Sequence, residues 1–474
     1  MIRHIIRKEL LENLLSLRFV LSLLLIICLY AAIGFIFVSK YTRQTDDYWK
    51  RTNENIAAFS ERADQLYKLA FYEQEIWRKP KPLSLCVEGF ERYLPNYFNS
   101  SLFRTALPEV RSRSNFLLPN FCDIDWVFII STPLSFVVLL FTYDSFCGER
   151  QAGTLRLILS GSIPRHKILL GKYIGAILTL GIPLLMGFLI NLIIVISSDI
   201  VKLGSGEWLR IIGIALISFL YLSMFLLLGM FVSSRTAHSA NSIIILLLVW
   251  VGLVVLLPRL GRIVSDIHYK SPSLTEFRKK IVESKDQIFR EMRTGKFGKN
   301  AFESHPDRNH PSNNPPAAAR FWNAFFASAA QVYEQHYNKM LTQAFASRNF
   351  ACISPAVIYQ RASETIAGTG INRCASLHQQ IKQYQQDLKE FILSKDAEDP
   401  DSLHLLFAFE YAVGNWQAIS NKPVDFDTVP KFQERDLSLG QSVKLAIWDI
   451  GLLVLFNLVF FAASFVSFLR YDVR

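Results

Sequence analysis

The sequence predicts an all-α integral membrane protein with six transmembrane helices, an amphipathic N-terminal elbow helix and two mainly helical extracytoplasmic domains. Hydrophobic residues make up 51% of the 474 residues and charged residues only 19%, whereas charged residues make up about 25% of a typical soluble domain. The apolar residues gather into six blocks, each close to the ~20 residues that a helix needs to span a bilayer. Two long polar stretches lie between the blocks and must fold in water.

The six apolar blocks define the predicted spans, at residues 19–39, 126–143, 168–197, 209–232, 241–257 and 445–468. A secretory signal is the alternative interpretation of the first block, because basic residues precede it. Its apolar run is about 20 residues, longer than the roughly 7–15 of a signal core, and no small-x-small cleavage site follows. We therefore interpret the first block as an uncleaved anchor.

Lys and Arg residues in short flanking segments predict the orientation, since cytoplasmic loops carry the positive excess. With the N-terminus inside, the segments on that side and the adjoining span ends hold twelve Lys and Arg against five Asp and Glu. The prediction places both termini in the cytoplasm, with cytoplasmic segments at 1–18, 144–167 and 469–474 and outer domains at 40–125 and 258–444. This topology accounts for the net charge of +11 without nucleic acid as a partner.

Segment 1–18 has the pattern of a helix that lies in the bilayer interface. Its Ile and Leu residues fall on one helical face, and Arg3, Arg7, Lys8 and Glu12 lie mostly on the other. Such a helix acts either as an anchor or as an elbow that pivots during gating, and the sequence does not separate these roles.

The two outer domains are predicted to be mainly helical. Residues 46–78 and 317–350 run without Pro or Gly, and 377–394 repeats the pattern, while the composition of 295–316 predicts a surface loop. The aromatic cluster at 321–326 has helical spacing, which favours a core face or a dimer contact over a substrate platform. His305 and His310 flank Asp307 in a non-helical setting without a metal-site motif, so no metal site is predicted.

Polar groups within the spans are scarce. A proton- or ion-coupled transporter needs ionisable groups at membrane depth. Apart from charges at the span ends, there is essentially one such group, Asp449, a few residues inside the last span, with Asn457 deeper. We interpret Asp449 as an interfacial group, for instance paired with Lys444, and keep Asp449 and Asn457 as possible gate residues. The sequence lacks a GxxxxGK[ST] phosphate loop, so ATP hydrolysis is not expected in this chain.

The segment between the second and third spans carries the most specific pattern. Its residues resemble the E-R-x-x-G-T-L … P-R … L-G-K signature of ABC-2 type permeases, through Glu149-Arg150-Gln151-Ala152-Gly153-Thr154-Leu155, Pro164-Arg165 and Leu170-Gly171-Lys172. The six spans and the amphipathic N-terminus fit the same family. Short stretches at 353–356, 367–370 and 468–474 resemble its subgroup with two large extracytoplasmic insertions, which is related to NosY-like permeases.

This resemblance implies a transmembrane subunit of an ABC transporter in a bacterial inner membrane. A separate ATP-binding subunit would hydrolyse ATP with Mg²⁺, and a second permease chain, identical or similar, would complete a dimer within the membrane lipid. Segment 144–165 would then carry the coupling helix, in which Glu149 and Arg150 pair with charged groups of the ATPase and Gly153 and Thr154 shape the helix. The implied ATPase-coupling residues are Glu149, Arg150, Gly153, Thr154, Leu155, Arg156, Pro164 and Arg165. The loop at 233–238 is a second, weaker contact candidate.

Each outer domain holds two cysteines, which suggests disulfides in an oxidising compartment. The candidates are Cys86, Cys122, Cys352 and Cys374, with Cys86–Cys122 favoured and Cys352–Cys374 less so. A straight helix between Cys352 and Cys374 would separate them by about 20 Å, and four cysteines permit three pairings.

Two other functions remain open from the sequence. The chain would be a non-transporting subunit that transmits force from an ATPase to an external client, or a membrane-anchored extracytoplasmic binding or sensor protein. No nucleophile–base pair can be argued from spacing, so the chain is not expected to be an enzyme.

Overall fold

A computed structural model describes residues 2–93, 95–103, 107–108, 124–160, 164–268, 274–301, 313–407 and 418–470. The α-helices are α1 Ile2–Leu14, α2 Leu17–Glu61, α3 Leu66–Phe71, α4 Trp126–Ile129, α5 Ser135–Thr142, α6 Cys147–Gln151, α7 Thr154–Ser160, α8 Arg165–Ile196, α9 Ser205–Arg235, α10 Ser239–Trp250, α11 Leu257–His268, α12 Leu274–Arg293, α13 Pro315–Phe350, α14 Pro355–Ala367, α15 Ile371–Ala397 and α16 Leu439–Leu469. The strands are β1 Gln74–Trp77, β2 Tyr97–Ser100 and β3 Leu107–Pro108.

Among the described residues, six helical segments are long and apolar enough to cross a membrane, which agrees with the predicted number of spans. They begin with α2, α4, α8, α9, α10 and α16. One turn of π-helix, Ile130–Leu134, joins α4 to α5 at Pro133, and another, Val251–Leu256, joins α10 to α11. Proline accounts for the first irregular turn because it lacks the amide proton that a regular helix would use.

Helix α9 lies at the centre of the bundle and packs against α16, α14 and α5. Small polar side chains fasten α9 to α16: Ser234 Oγ lies 2.7 Å from Ser467 Oγ, and Ser464 Oγ donates to the carbonyl of Leu227. On the other side, Asn191 of α8 donates to the carbonyl of Tyr30 and accepts from the Trp126 indole. Such hydrogen bonds are favourable inside an apolar bundle because no water is available there to pair with the polar groups.

The two ends of the bundle have different attachments. We call the end that carries α1, α6, α7, residues 236–238 and the last turn of α16 the N-terminal face. The opposite end, which carries the described residues within 40–125 and 258–444, is the insertion face.

Helix α2 continues without a break from the first span into the first insertion. Its 45 residues correspond to a length of about 68 Å at 1.5 Å per residue. The prediction of helix through residue 78 was wrong in its last part. Helix α2 ends at Glu61, and residues 74–77 form β1 of a small antiparallel sheet with the order β1-β2-β3.

The two insertions share one hydrophobic core. Phe59, Leu66 and Ile76 of the first insertion pack with Leu377 and Ile381 of α15 in the second. The Tyr384 hydroxyl of α15 donates to Gln74 Oε1 across the same interface at 2.8 Å. The predicted helices at 317–350 and 377–394 are confirmed within α13 and α15.

Helix α14 belongs to the second insertion in sequence but packs inside the bundle. Its Tyr359 hydroxyl lies 2.8 Å from Ser218 Oγ in the middle of α9, and its ring stacks on Tyr221. Ser354, at its N-terminus, donates to the carbonyl of Leu253 in the fifth span. The helix ends at Gly368, which has a φ of 73°, a left-handed conformation that glycine adopts without strain.

Candidate functional site

The segment predicted to be a coupling helix forms two short helices, α6 and α7. Gly153 between them has a φ of 74°, which is outside the helical range and costs little only for glycine. The chain therefore changes direction at Gly153, and we call residues 147–160, which comprise α6, Gly153 and α7, the corner.

The corner exposes most of its polar side chains on the surface of the N-terminal face. Arg150, Thr154 and Arg156 are exposed, and the Leu157 side chain is 74% exposed. By contrast, Leu155 is buried and holds α7 against the bundle. An exposed leucine next to an exposed arginine is the composition expected of a protein-binding patch rather than of an ordinary loop.

Glu149 points away from this patch and joins a buried ion cluster. Its Oε1 lies 2.9 Å from Lys172 Nζ of α8, and the same ammonium lies 2.7 Å from Glu9 Oε1 of α1. Lys172 is only 4% exposed, and Lys8 adds a longer contact of 3.5 Å to Glu149. The cluster therefore ties α6, α8 and α1 together through one buried cation. We call Glu149, Lys172 and Glu9 the ion triad.

Glycines of α8 let α1 approach the ion triad. A methyl group at Gly171 would lie 2.7 Å from Ile5, and one at Gly175 would lie 2.8 Å from the Cβ of Glu9. Both distances are shorter than any ordinary carbon–carbon contact. The Leu170-Gly171-Lys172 motif thus has a physical reading, in which glycine provides the close approach and lysine provides the charge.

The corner is also fixed to the connection between α9 and α10. Ser233 Oγ accepts hydrogen bonds from the amides of Phe146 and Cys147 at 3.0 and 3.2 Å. The Gln151 side chain accepts from Ser239 at 2.8 Å and lies 3.1 Å from His238. The loop at 233–238, predicted as a weak second contact for a partner, thus holds the coupling segment within this chain.

Arginines at the remaining span ends complete the N-terminal face. Arg165, which directly follows Pro164 at the start of α8, donates to the last carbonyls of α16, those of Phe468 and Leu469. Arg18 of α2 donates to Asp144 at 2.9 Å and to Tyr143 at 2.8 Å at the end of the second span. Cations at helix C-termini are favourable because the carbonyl groups there are unpaired.

The two possible gate residues do not lie together. Asp449 is buried and pairs with Arg361 Nε of α14 at 3.5 Å, rather than with Lys444. Asn457 accepts from Ser223 at 2.6 Å and donates to the carbonyl of Leu220, so it fastens α16 to α9. The structure therefore gives Asp449 a partner on a helix that enters the bundle, and gives Asn457 a packing role.

The five cysteines that the structure describes are free thiols, so it shows no disulfide among them. Cys352 contacts Arg361, whereas Cys374 lies 3.4 Å from the Tyr337 hydroxyl. Burial raises the pKa of the Cys86 and Cys374 thiols, which favours their protonated form. Cys122, the predicted partner of Cys86, lies outside the described residues.

Sequence reasoning singled out Glu149 but not its partners. From the sequence, Lys172 belongs to the Leu170-Gly171-Lys172 motif and to the cations that predict the orientation, and neither pattern identifies a carboxylate partner for it. Glu9 gave no signal, since it lies on the expected polar face of an amphipathic helix. Phe321 of the aromatic cluster is fully buried against Phe289 and Phe297, as expected of a core face. His305, Asp307 and His310 lie outside the described residues, and those residues that are described hold no group suited to a metal.

Comparison with known proteins covers nearly the whole chain at the level of family. Residues 3–473 match the family described as ABC-2 family transporter protein. The chain is 40% identical over 73 residues to the "Probable ABC transporter permease protein NosY" of Stutzerimonas stutzeri, an alignment that covers 15% of this chain and 26% of that protein. It is 42% identical over 52 residues to the protein of the same name from Pseudomonas aeruginosa, covering 11% of this chain and 19% of that protein. The chain thus matches about a quarter or less of the length of these relatives.

Proposed function

The chain belongs to the ABC-2 transporter family, and from this premise we propose that it is a permease subunit moved by ATP hydrolysis in a separate ATP-binding subunit. ATP and Mg²⁺ would bind to that partner. The N-terminal face would be cytoplasmic and the insertion face would lie outside a bacterial inner membrane. Two copies of the chain, or this chain and a similar one, would form the membrane unit.

The observation that carries this proposal is the position of the ion triad beneath the exposed corner. The corner offers a surface to a partner, and the triad connects the same few residues to α8 and α1. A displacement of α6 by the partner moves Glu149, and the attached Lys172 must follow or lose its charge partner. Because an unpaired buried charge costs several kcal/mol, the three helices are expected to move as one body.

The partner surface in this proposal consists of Arg150, Thr154, Arg156 and Leu157. The two guanidinium groups suit acidic side chains on the ATP-binding subunit, and Leu157 suits a small apolar recess. The sequence-based prediction gave Glu149 a direct role in docking. The geometry favours a different role, since Glu149 faces inward to Lys172.

At the opposite end, the proposal assigns the response to α14. Helix α14 packs against α9 and α16, so a shift of these two helices changes the surface on which α14 packs. The Arg361–Asp449 ion pair would hold α14 in the closed position. Export of a substrate would require this pair to separate or to move with both helices.

A second candidate function is supported by helix α2. It runs without a break from the first span to the shared core of the insertions. A movement of the first span could therefore be transmitted to the insertions without a substrate passing through the membrane. In this alternative, the ATP-binding subunit still drives the chain, and the client is a protein outside the membrane.

Copurification tests the docking surface. Tagged wild-type chain is expected to retain an ATP-binding subunit, and the R150Q/R156Q double variant and Leu157→Ser are expected to lose it. The matched control is R3Q/R7Q, which removes two exposed arginines from α1 on the same face. Equal retention by all variants would refute the assigned surface. A wild-type chain that retains no ATPase and remains stable would favour a membrane-anchored binding or sensor protein instead.

A further inference from the structure

A cavity of about 470 Å³ lies between the bundle and the insertions, at the insertion face. Its volume is within the range of pockets that hold small molecules. Tyr41 and Arg210 form its floor, where α2 and α9 emerge from their apolar runs. Tyr48, Trp49 and the N-terminal part of α15 form its walls. The floor therefore lies at the level where lipid headgroups meet the hydrocarbon of a bilayer.

The charges around this cavity are unbalanced. Six basic residues line it against three acidic ones, and the acidic ones are Glu207, Glu434 and Asp436. Each of these three carboxylates is already engaged. Glu207 accepts from the amide of Gly204, Glu434 accepts two bonds from Arg373, and Asp436 pairs with Lys81.

Three of the cations face the cavity without a partner among the described residues. Lys79, Lys202 and Arg435 are exposed, and their side chains make no ion pair or hydrogen bond there. They come from three separate parts of the chain: the end of β1, the connection between α8 and α9, and the segment before α16. The backbone of Arg435 is held by two hydrogen bonds to the Gln380 side chain, which fixes this part of the wall.

The combination of surplus positive charge, aromatic walls and headgroup level indicates a specific ligand chemistry. A phosphate ester suits a cavity lined by three cations that have no ion pair among the described residues, and tyrosine and tryptophan side chains favour the interfacial region of a bilayer. We propose that this cavity binds the headgroup of an anionic phospholipid. The lipid phosphate lies between Lys79, Lys202 and Arg435, and its glycerol rests against Tyr41. This site does not depend on the proposed function.

Native mass spectrometry of the full-length protein in a nonionic detergent tests the site, with phosphatidylglycerol, phosphatidylcholine and inorganic phosphate as separate probes. Wild-type protein is expected to bind phosphatidylglycerol in preference to phosphatidylcholine. The K79Q/K202Q/R435Q variant is expected to weaken phosphatidylglycerol binding on the order of a hundredfold, since each basic side chain near an anionic lipid contributes about 1 kcal/mol. The matched control, R293Q/K299Q/K339Q, removes three exposed cations elsewhere in the second insertion and is expected to bind as wild type.

A volume variant tests the same site without changing its charge. A Cβ atom at Gly206, in the first turn of α9, would meet no atom within 4 Å, and Gly206 lines the cavity, so Gly206→Trp is designed to place an indole in the cavity. It is expected to abolish phosphatidylglycerol binding while the melting temperature of the lipid-free protein stays unchanged. Unchanged phosphatidylglycerol binding in both the triple variant and Gly206→Trp would overturn the proposal. So would equal binding of the two lipids by wild type, or displacement of phosphatidylglycerol by inorganic phosphate at equal concentration.

Discussion

Lys172 illustrates how a charge is accommodated at the end of an apolar helix. Its side chain is almost completely buried, but two carboxylates from two other helices contact its ammonium group. A buried ion pair contributes little net stability because of desolvation, yet removing one partner is costly. The main effect of the ion triad is therefore to fix the positions of α1, α6 and α8 relative to one another, rather than to add stability to the fold.

Asp449 and Arg361 form the corresponding pair near the insertion face. Asp449→Asn is expected to lower the free energy of unfolding by about 2 kcal/mol, less than for a fully buried pair because Arg361 is partly exposed. The measurement is the thermal unfolding midpoint of the purified chain. The double variant D449N/R361Q should recover part of the loss, since it removes the unpaired cation. Additive effects of the two substitutions would show that the groups do not interact.

At the scale of elements, the pairing of α1 with α8 depends on the small residues of α8. Gly175→Val is expected to push α1 away, because its first added carbon would already lie 2.8 Å from the Cβ of Glu9. Hydrogen exchange of the α1 amides is expected to accelerate, while exchange in α9 stays unchanged. Gly206→Val is the control, since a Cβ atom there meets no atom within 4 Å. Unchanged hydrogen exchange in α1 would show that the close approach of Gly175 and Glu9 does not determine how α1 packs on α8.

The pairing of α13 with α15 provides a pH-dependent contact. His378 of α15 is buried, stacks on Tyr337 and lies 3.2 Å from Glu334, which Lys382 also contacts at 3.0 Å. Burial lowers the pKa of His378 below its ordinary value. The unfolded chain then binds a proton more readily than the folded chain, so stability falls as the pH decreases through about 6.5 towards the lowered folded value.

Thermal unfolding at pH 7.5 and pH 5 measures this contribution. The wild-type chain is expected to lose stability at pH 5, and His378→Gln is expected to lose less. The pKa of Glu334 is also lowered, so Glu334 stays ionised over this range and does not contribute to the difference. An identical pH dependence in the two proteins would remove His378 as the source.

At the scale of the whole molecule, the sequence predicted the spans and several long helices well. Segment length and hydropathy determine a span locally, and an unbroken run without Pro or Gly predicts helices such as α13 and α15. It did not predict the entry of α14 into the bundle, because residues 355–367 are too short and too polar to resemble a span. Contacts such as Tyr359–Ser218 join residues 141 positions apart, and local patterns carry no information about them.

In the candidate site, too, the sequence predicted what depends on a local motif and missed what depends on long-range contacts. Glu149 was found through a local motif, but its function depends on Lys172 and Glu9, and the latter pair is separated by 163 positions. The shared core of the two insertions was also not foreseen, because Ile76 and Leu377 meet only after both insertions have folded. Helix α2 links this core to the first span, so a movement at the N-terminal face has a rigid route to the insertions.

The most direct test of this account follows the movement itself. Spin labels at residues 60 and 235, exposed positions at the far end of α2 and on the N-terminal face, report their separation by electron resonance in the complex with its ATP-binding subunit. MgATP is expected to change this separation in the wild-type complex. In the Glu149→Gln complex, which keeps the docking surface, the ATPase should remain bound and the change should be lost. A change that persists undiminished in Glu149→Gln, or that MgATP causes in the isolated chain, would contradict transmission through the ion triad.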